Sequence, residues 1–305
     1  MSHKIVFFGN ERLATGVETN APVLQSLIAA GYDVRAVVTQ HEHGKSRKPR
    51  ELEIAAVAAR HNIPVLLPNK MSDIADDLKA MQAEAGVLIA FGKIVPQSII
   101  DIFQRGIVNI HPSDLPKHRG PTPLESVILA GDEQTAVSLM SLGAKMDAGP
   151  IYAQQAVALT GKETKQQLAD TLLGIGQQLL IQHLPAILGG AMAPTPQDDT
   201  EATYDSLITK DAGVINWQSS AVEIECQIRA YASWPKSRAE IGGRDVVITA
   251  AHVLPEASGV PGVIWLHERE IGMHTGDGVL VIDQLVPAGK KPMSGSDFLL
   301  GYKPV

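Results

Sequence analysis

Asn109 and His111 stand two residues apart in IVNIH, near the start of GIVNIHPSDLPKHRGPTPL (Gly106–Leu124). The stretch begins apolar, as a strand does, and ends in prolines and a glycine, as a loop does. Side chains two apart on a strand share a face. One face at a strand end therefore carries a carboxamide and an imidazole. Histidine gains or loses a proton near neutral pH, which suits general acid–base work. An asparagine N–H can stabilise an oxygen that turns negative as a carbonyl is attacked. Downstream, LGAKMDAGPIY (Leu142–Tyr152) sets Asp147 between Gly143 and Gly149. A carboxylate there could hold the imidazole and favour its protonated form. Each residue also has a plain structural reading: a satisfied buried histidine, a turn aspartate, a local asparagine cap. Spacing alone leaves both readings open.

The elements that must position these groups alternate in type. KIVFFG (Lys4–Gly9), DVRAVVTQ (Asp33–Gln40), PVLLP (Pro64–Pro68), AGVLIAFG (Ala85–Gly92) and IVNIH (Ile107–His111) read as strands. Between them, PVLQSLIAAG, ELEIAAVAARHNI, ADDLKAMQAE and VPQSIIDIFQRG carry helical spacing. This βαβα rhythm predicts an α/β fold with a doubly wound, mostly parallel sheet, whose ligands sit beyond the carboxyl ends of the strands. The end of IVNIH is such a place. A long helical pattern follows over 162–190. The stretch 191–205, rich in proline, threonine and acidic residues, reads as a linker. After the helical AVEIECQIRAY, short β runs (DVVITAAHVL, GVPGVIWL, EIGMHT, GVLVIDQLVP) predict a small OB-like β-barrel. The expected division is a catalytic domain over 1–190, the linker over 191–205 and a C-terminal barrel domain over 206–305.

The 305 residues are 45% hydrophobic and 19% charged, an ordinary globular composition with a core. A formal charge of −7 excludes a broadly basic nucleic-acid binder but not a local basic loop. One cysteine, Cys226, allows neither an internal disulfide nor a cysteine metal site and fits a reducing compartment. The N-terminus does not read as a signal peptide, and no apolar run is long enough for a membrane span. A cytoplasmic, monomeric chain without membrane contact is expected.

NIHPSDLPKHRGPTPL, VLIAFGKIVP and MDAGPIY, in this order, resemble the 10-formyltetrahydrofolate-dependent formyltransferases. Their signature of Asn-x-His, Ser-Leu-Leu-Pro, Arg-Gly and a later Asp-x-Gly falls on Asn109, His111, Ser113–Pro116, Arg119-Gly120 and Asp147. In the second half, RAYASWPKSRAEIGG and GDGVLVIDQLVPAGKKPMSGSDFLLG resemble the C-terminal domain of the methionyl-tRNA branch of this superfamily. The resemblance implies the formyltransferase fold and transfer of a formyl group to the α-amino group of initiator Met-tRNA. Asn109, His111 and Asp147 would be catalytic. Phe91, Gly92, Ile94, Ser113, Asp114, Leu115 and Pro116 would bind 10-formyltetrahydrofolate, and no metal is called for. The basic loop His41–Glu51 would reach the tRNA acceptor end through Lys45, Arg47, Lys48 and Arg50. Further patches are Lys236/Arg238 and Lys290-Lys291. The pattern departs at Gly9-Asn10-Glu11, where Gly-Thr-Pro is expected, and at Asp114, which places a charge in a cofactor-side turn.

Three other readings compete. A formyltransferase acting on a nucleotide-sugar amine would share the Asn/His/Asp set but lack this C-terminal domain. A hydrolase would release formate from the same folate. A non-enzymatic RNA-binding protein would be built on the barrel alone, against which the Asn/His/Asp set and the acidic balance both argue.

Overall fold

The computed structural model describes residues 2–40, 52–255 and 259–303. Two compact units form. The first comprises Met1–Pro123, Gln134–Ala158 and Gln166–Ser206; the second comprises Leu124–Glu133, Leu159–Lys165 and Leu207–Val305.

The first unit carries strands β1 (Lys4–Gly9), β2 (Asp33–Val38), β3 (Val65–Leu66), β4 (Ala85–Ile89), β5 (Ile107–His111), β6 (Gln134–Ser141) and β7 (Ile151–Ala158). They form one sheet in the order β3-β2-β1-β4-β5-β6-β7. The first five run parallel; β6 pairs antiparallel with β5, and β7 pairs antiparallel with β6. Chain order reverses between β1 and β4, which opens a crevice at their carboxyl ends. The mostly parallel α/β sheet and the separate antiparallel C-terminal sheet agree with the fold expected from sequence.

Helices α1 (Pro22–Ala29), α2 (Glu53–Arg60), α3 (Ala75–Ala80) and α4 (Gln97–Ile100) connect the parallel strands. Two are shorter than their apolar spacing suggests. The ADDLKAMQAE pattern is preceded by a 3₁₀ turn, Met71–Ile74, and its helix stops before Gln82, whose φ is +50°. The VPQSIIDIFQRG pattern gives a single helical turn, because the chain bends to drive Phe103 into the core. There Phe8 meets Phe91 and Phe103 edge-on, at 5.8 and 5.9 Å between ring centres. Helix α5 (Pro123–Ala130) joins β5 to β6, and α6 (Lys165–Leu188) follows β7. Gly176 lets α6 approach the sheet: a Cβ there would lie 2.7 Å from Ile110.

Glu11 explains how α1 starts. Its N-cap, Ala21, has no capping side chain. Instead the buried Glu11 carboxylate accepts from the backbone N–H groups of Val23 (2.9 Å) and Leu24 (2.8 Å). Burial pushes the Glu11 pKa from the usual 4.5 to about 7, and the two N–H bonds oppose the rise. A folded-state pKa above the unfolded one means that the folded chain holds this proton more tightly. The stabilisation is full below pH 4.5 and is lost as pH rises to about 7. Each pH unit in that window costs about 1.4 kcal/mol. Urea unfolding of the protein and of Glu11→Gln from pH 5 to 8 is expected to show the unsubstituted chain losing ground as pH rises. A relative gain would mean that the N–H bonds outweigh burial.

The second unit holds α7 (Ala221–Ala230), β8 (Ser237–Ile241), β9 (Arg244–Leu254), β10 (Ile264–His267), β11 (Glu270–His274), β12 (Val279–Pro287), β13 (Met293–Ser294) and α8 (Gly295–Tyr302). The antiparallel order is β10-β11-β12-β9-β8, with β13 paired to β12. A reciprocal cap between Ser220 and Glu223 starts α7. Its Ile224 and Ile228 pack with Ile248, Leu280, Ile282 and Phe298.

Candidate active site

Beyond the carboxyl ends of β1, β4 and β5 lies a cleft of about 440 Å³. Its walls come from Arg12–Thr15 after β1, Ala90–Val95 after β4, Asn109–Pro112 at β5, Gly120–Pro121 and Leu142–Asp147. Asn109 and His111 are 4% and 5% exposed, so their only open side is the cleft. Flanking strands fix both: Asn109 lies opposite Leu88 and Met140, and His111 opposite Ser138.

The His111 imidazole is oriented from two sides. Nε2 lies 3.0 Å from the carbonyl oxygen of His118. A carbonyl only accepts, so Nε2 carries a proton. The proton that His111 can give or take is therefore on Nδ1. Nδ1 lies 3.8 Å from Asp147 Oδ1, an ion-pair distance but too long for a direct hydrogen bond. Asp147 Oδ2 accepts from the Gly120 N–H at 2.9 Å. A carboxylate so held stays aimed at the imidazole.

Asp147 sits at φ +47°, a left-handed conformation uncommon for a non-glycine residue. Two residues on, a Cβ at Gly149 would lie 1.8 Å from the Ser141 carbonyl oxygen, so only glycine fits. Gly149 thus lets the loop turn back against β6.

The other sequence-predicted residues divide. The Phe91 side chain is buried in the core, while Gly92 and Ile94 are exposed beside the cleft. The Phe91 carbonyl already accepts from Gln40 Nε2 at 2.7 Å. Ser113, Asp114, Leu115 and Pro116 are not among the lining residues. Ser113 and Leu115 are buried and tied to β6: Ser138 Oγ donates to the Ser113 carbonyl (2.7 Å) and accepts from the Leu115 N–H (3.3 Å). Gln154 donates to the Leu115 carbonyl and to Ser138 Oγ, both at 2.8 Å. This turn thus positions the backbone that carries the His118 carbonyl. Asp114 is half-buried. Lys45, Arg47, Lys48 and Arg50 lie outside the described residues. Lys236, Lys290 and Lys291 are exposed, and Arg238 donates to the Lys210 carbonyl.

Sequence reasoning assigned no role to Arg119, whose side chain is fully buried. Its guanidinium donates to Gln197 Oε1 (3.1 and 2.8 Å), Asp199 Oδ1 (2.8 Å) and the Tyr204 hydroxyl (2.8 Å). Burial opposes its charge, but the Asp199 and Tyr204 bonds outweigh it and raise its pKa. A charged side chain beside the cleft motif was the available signal. Its partners, some 80 residues downstream, gave none.

An amide, an imidazole and a carboxylate thus gather in one cleft beyond the carboxyl ends of a mostly parallel sheet. The profile of the family described as Formyl transferase matches residues 3–184, and that of Formyl transferase, C-terminal domain, matches 207–303. Similarity over the whole chain narrows this class. A methionyl-tRNA formyltransferase of Chloroflexus aurantiacus is 38% identical over 308 residues, covering 98% of this chain and 96% of its own. That of Roseiflexus castenholzii is 36% identical over 309 residues, covering 99% and 97%. The chain belongs to the methionyl-tRNA formyltransferase family within the formyl transferases. In fold it is also similar to an N-formyltransferase of Helicobacter canadensis, solved with folinic acid and dTDP-3-aminofucose. That likeness has a TM-score of 0.69 at 21% identity, over 92% of this chain and 98% of the other.

Proposed function

We propose that the protein moves the formyl group of 10-formyltetrahydrofolate to the α-amino group of initiator methionyl-tRNA. The observation that carries this reading is the shared β5 face of Asn109 and His111, with Asp147 3.8 Å from the imidazole, in a chain whose curated relatives match both units. The cleft suits a flat folate: Leu13, Leu88, Val95 and Leu142 give apolar walls, and Asn109, His111 and Asp147 are among its polar lining residues. When bound, the folate supplies an activated formyl carbon. Asn109 directs an N–H at the oxygen that gains charge as the amine attacks. His111, protonated on Nδ1, adds to that stabilisation and passes its proton toward the departing nitrogen, which leaves poorly unless protonated; the Nδ1 so freed takes up the proton that the attacking nitrogen sheds. Asp147 orients the imidazole and supports its charge. The attacking amine must be neutral, and a free α-amino group titrates near ~7.7–8, so an appreciable neutral fraction exists at pH 7.

The test is incubation with 10-formyltetrahydrofolate and Met-tRNA, then detection of formyl-Met-tRNA. Parallel reactions with a nucleotide-sugar amine, and with folate alone, separate the sugar and hydrolase readings. Product in either of those, with none on Met-tRNA, would overturn the proposal.

The basic loop is proposed to hold tRNA phosphates without taking part in chemistry. Phosphate contacts release counterions, so each one steepens the salt dependence of binding. Reversing Arg47 and Lys48 to Glu is expected to weaken Met-tRNA binding and flatten its salt slope by roughly one unit per lost contact. Folate binding should be unaffected. An unchanged slope and affinity would show that tRNA does not use this loop.

A further inference from the structure

We propose that Gln197 is a positioning residue for Asp147, held in register by the buried Arg119; this rests on the formyl-transfer reading above. Asp147 keeps a strained left-handed backbone, and such strain persists only where the surroundings over-determine it. Three bonds do so. The Gly120 N–H takes the carboxylate at Oδ2. The Gln197 carboxamide spans the loop: Nε2 donates to the Asp147 carbonyl at 2.8 Å and to the Gly149 carbonyl at 2.7 Å.

Nothing in this amide is left over. Its two N–H bonds go to the loop carbonyls, and its oxygen accepts twice from the Arg119 guanidinium. The partners also fix which way the amide points. The flipped amide would set an NH₂ against a guanidinium and an oxygen against two carbonyls. Arg119 is in turn clamped by Asp199 and Tyr204. Its backbone pairs with the same downstream segment: the Arg119 N–H donates to the Thr203 carbonyl (2.9 Å), and the Arg119 carbonyl accepts from the Asp205 N–H (2.7 Å). Residues 197–205 therefore act as a strap whose one inward contact on the Asp147 loop is the Gln197 amide. A shift of the loop by about 1 Å would move the carboxylate off the imidazole, a scale of misplacement that costs on the order of 10²-fold in rate.

The deciding variant is Gln197→Glu. It keeps an oxygen for Arg119 but has no N–H for the loop. Gln197→Ala removes both functions. Both are expected to lower kcat for formyl-Met-tRNA synthesis roughly 10²-fold, with KM for the formyl donor within about threefold of the unsubstituted chain. Hydrogen exchange on the ligand-free protein gives a reading independent of activity. Amides of residues 145–149 should exchange faster in both variants, with β1 and β4 unchanged. A Gln197→Glu protein with normal kcat and a protected loop would overturn the proposal. So would loss of protection throughout the first unit in both variants, which would make Gln197 a fold determinant. If the unsubstituted chain makes no formyl-Met-tRNA, the functional reading fails, and the exchange data still decide whether Gln197 holds the loop.

Discussion

His111→Ala is expected to lower the turnover of formyl-Met-tRNA synthesis by about 10²–10⁴-fold, the range for losing a positioned general acid–base. Two features make the loss specific. The imidazole is buried and fixed through Nε2 by the His118 carbonyl, so only Nδ1 is left for chemistry. Asp147 faces that same nitrogen at 3.8 Å, so the carboxylate stands beside the atom that carries the transferable proton. His111→Gln sharpens the comparison. Its amide can still donate to the His118 carbonyl, but it has no second, titratable nitrogen. It should match the alanine variant in turnover while unfolding closer to the unsubstituted protein. Single-turnover formylation with saturating folate is the measurement. Near-normal turnover in either variant would remove His111 from the mechanism.

The largest expected effect on stability lies in the second unit, where Lys165 and Glu125 form a buried ion pair. Nζ and Oε1 are 3.1 Å apart, with side chains only 2% and 3% exposed. Lys165 also donates to the Trp234 carbonyl at 3.3 Å. Glu125 Oε2 has no hydrogen-bond partner among the described residues, so the carboxylate depends on its one cation. Lys165→Met strands it, and breaking such a pair costs about 3–5 kcal/mol. Replacing both partners, Glu125→Leu with Lys165→Met, should recover most of that loss, because two well-packed apolar groups need no mutual charge. Urea unfolding of the singles and the double closes the cycle. A Lys165→Met protein within about 0.5 kcal/mol of the parent would show that the pair contributes nothing.

What the sequence made legible follows from the range of each signal. Asn109 and His111 could be read because a two-residue alternation in a buried strand is local. The parallel strands showed as apolar runs for the same reason. Strands β6 and β7 went unread: β7, IYAQQAVA, is an edge strand whose partly exposed residues blur the alternation. Glu11 lies in a loop, and its role depends on a helix start twelve residues on. Arg119 and Gln197 carry no periodic signal, since the side-chain contacts that give them meaning lie 48 to 85 residues away. The methionyl-tRNA resemblance came from motifs in both halves, and the family matches together with the relatives similar over the whole chain bear it out.

The strap over the Asp147 loop has a consequence for how the enzyme comes into being. A ribosome makes Asn109 and His111 well before it makes Gln197, Tyr204 and Asp205. At ordinary speeds of synthesis the delay is ~5–20 s. Until the later residues emerge, the Asp147 carbonyl lacks its tether and Arg119 lacks its acceptors. The nascent chain is therefore expected to be idle through most of its own translation, and a stop codon placed at or before position 197 should yield a polypeptide with every reacting group and no working site.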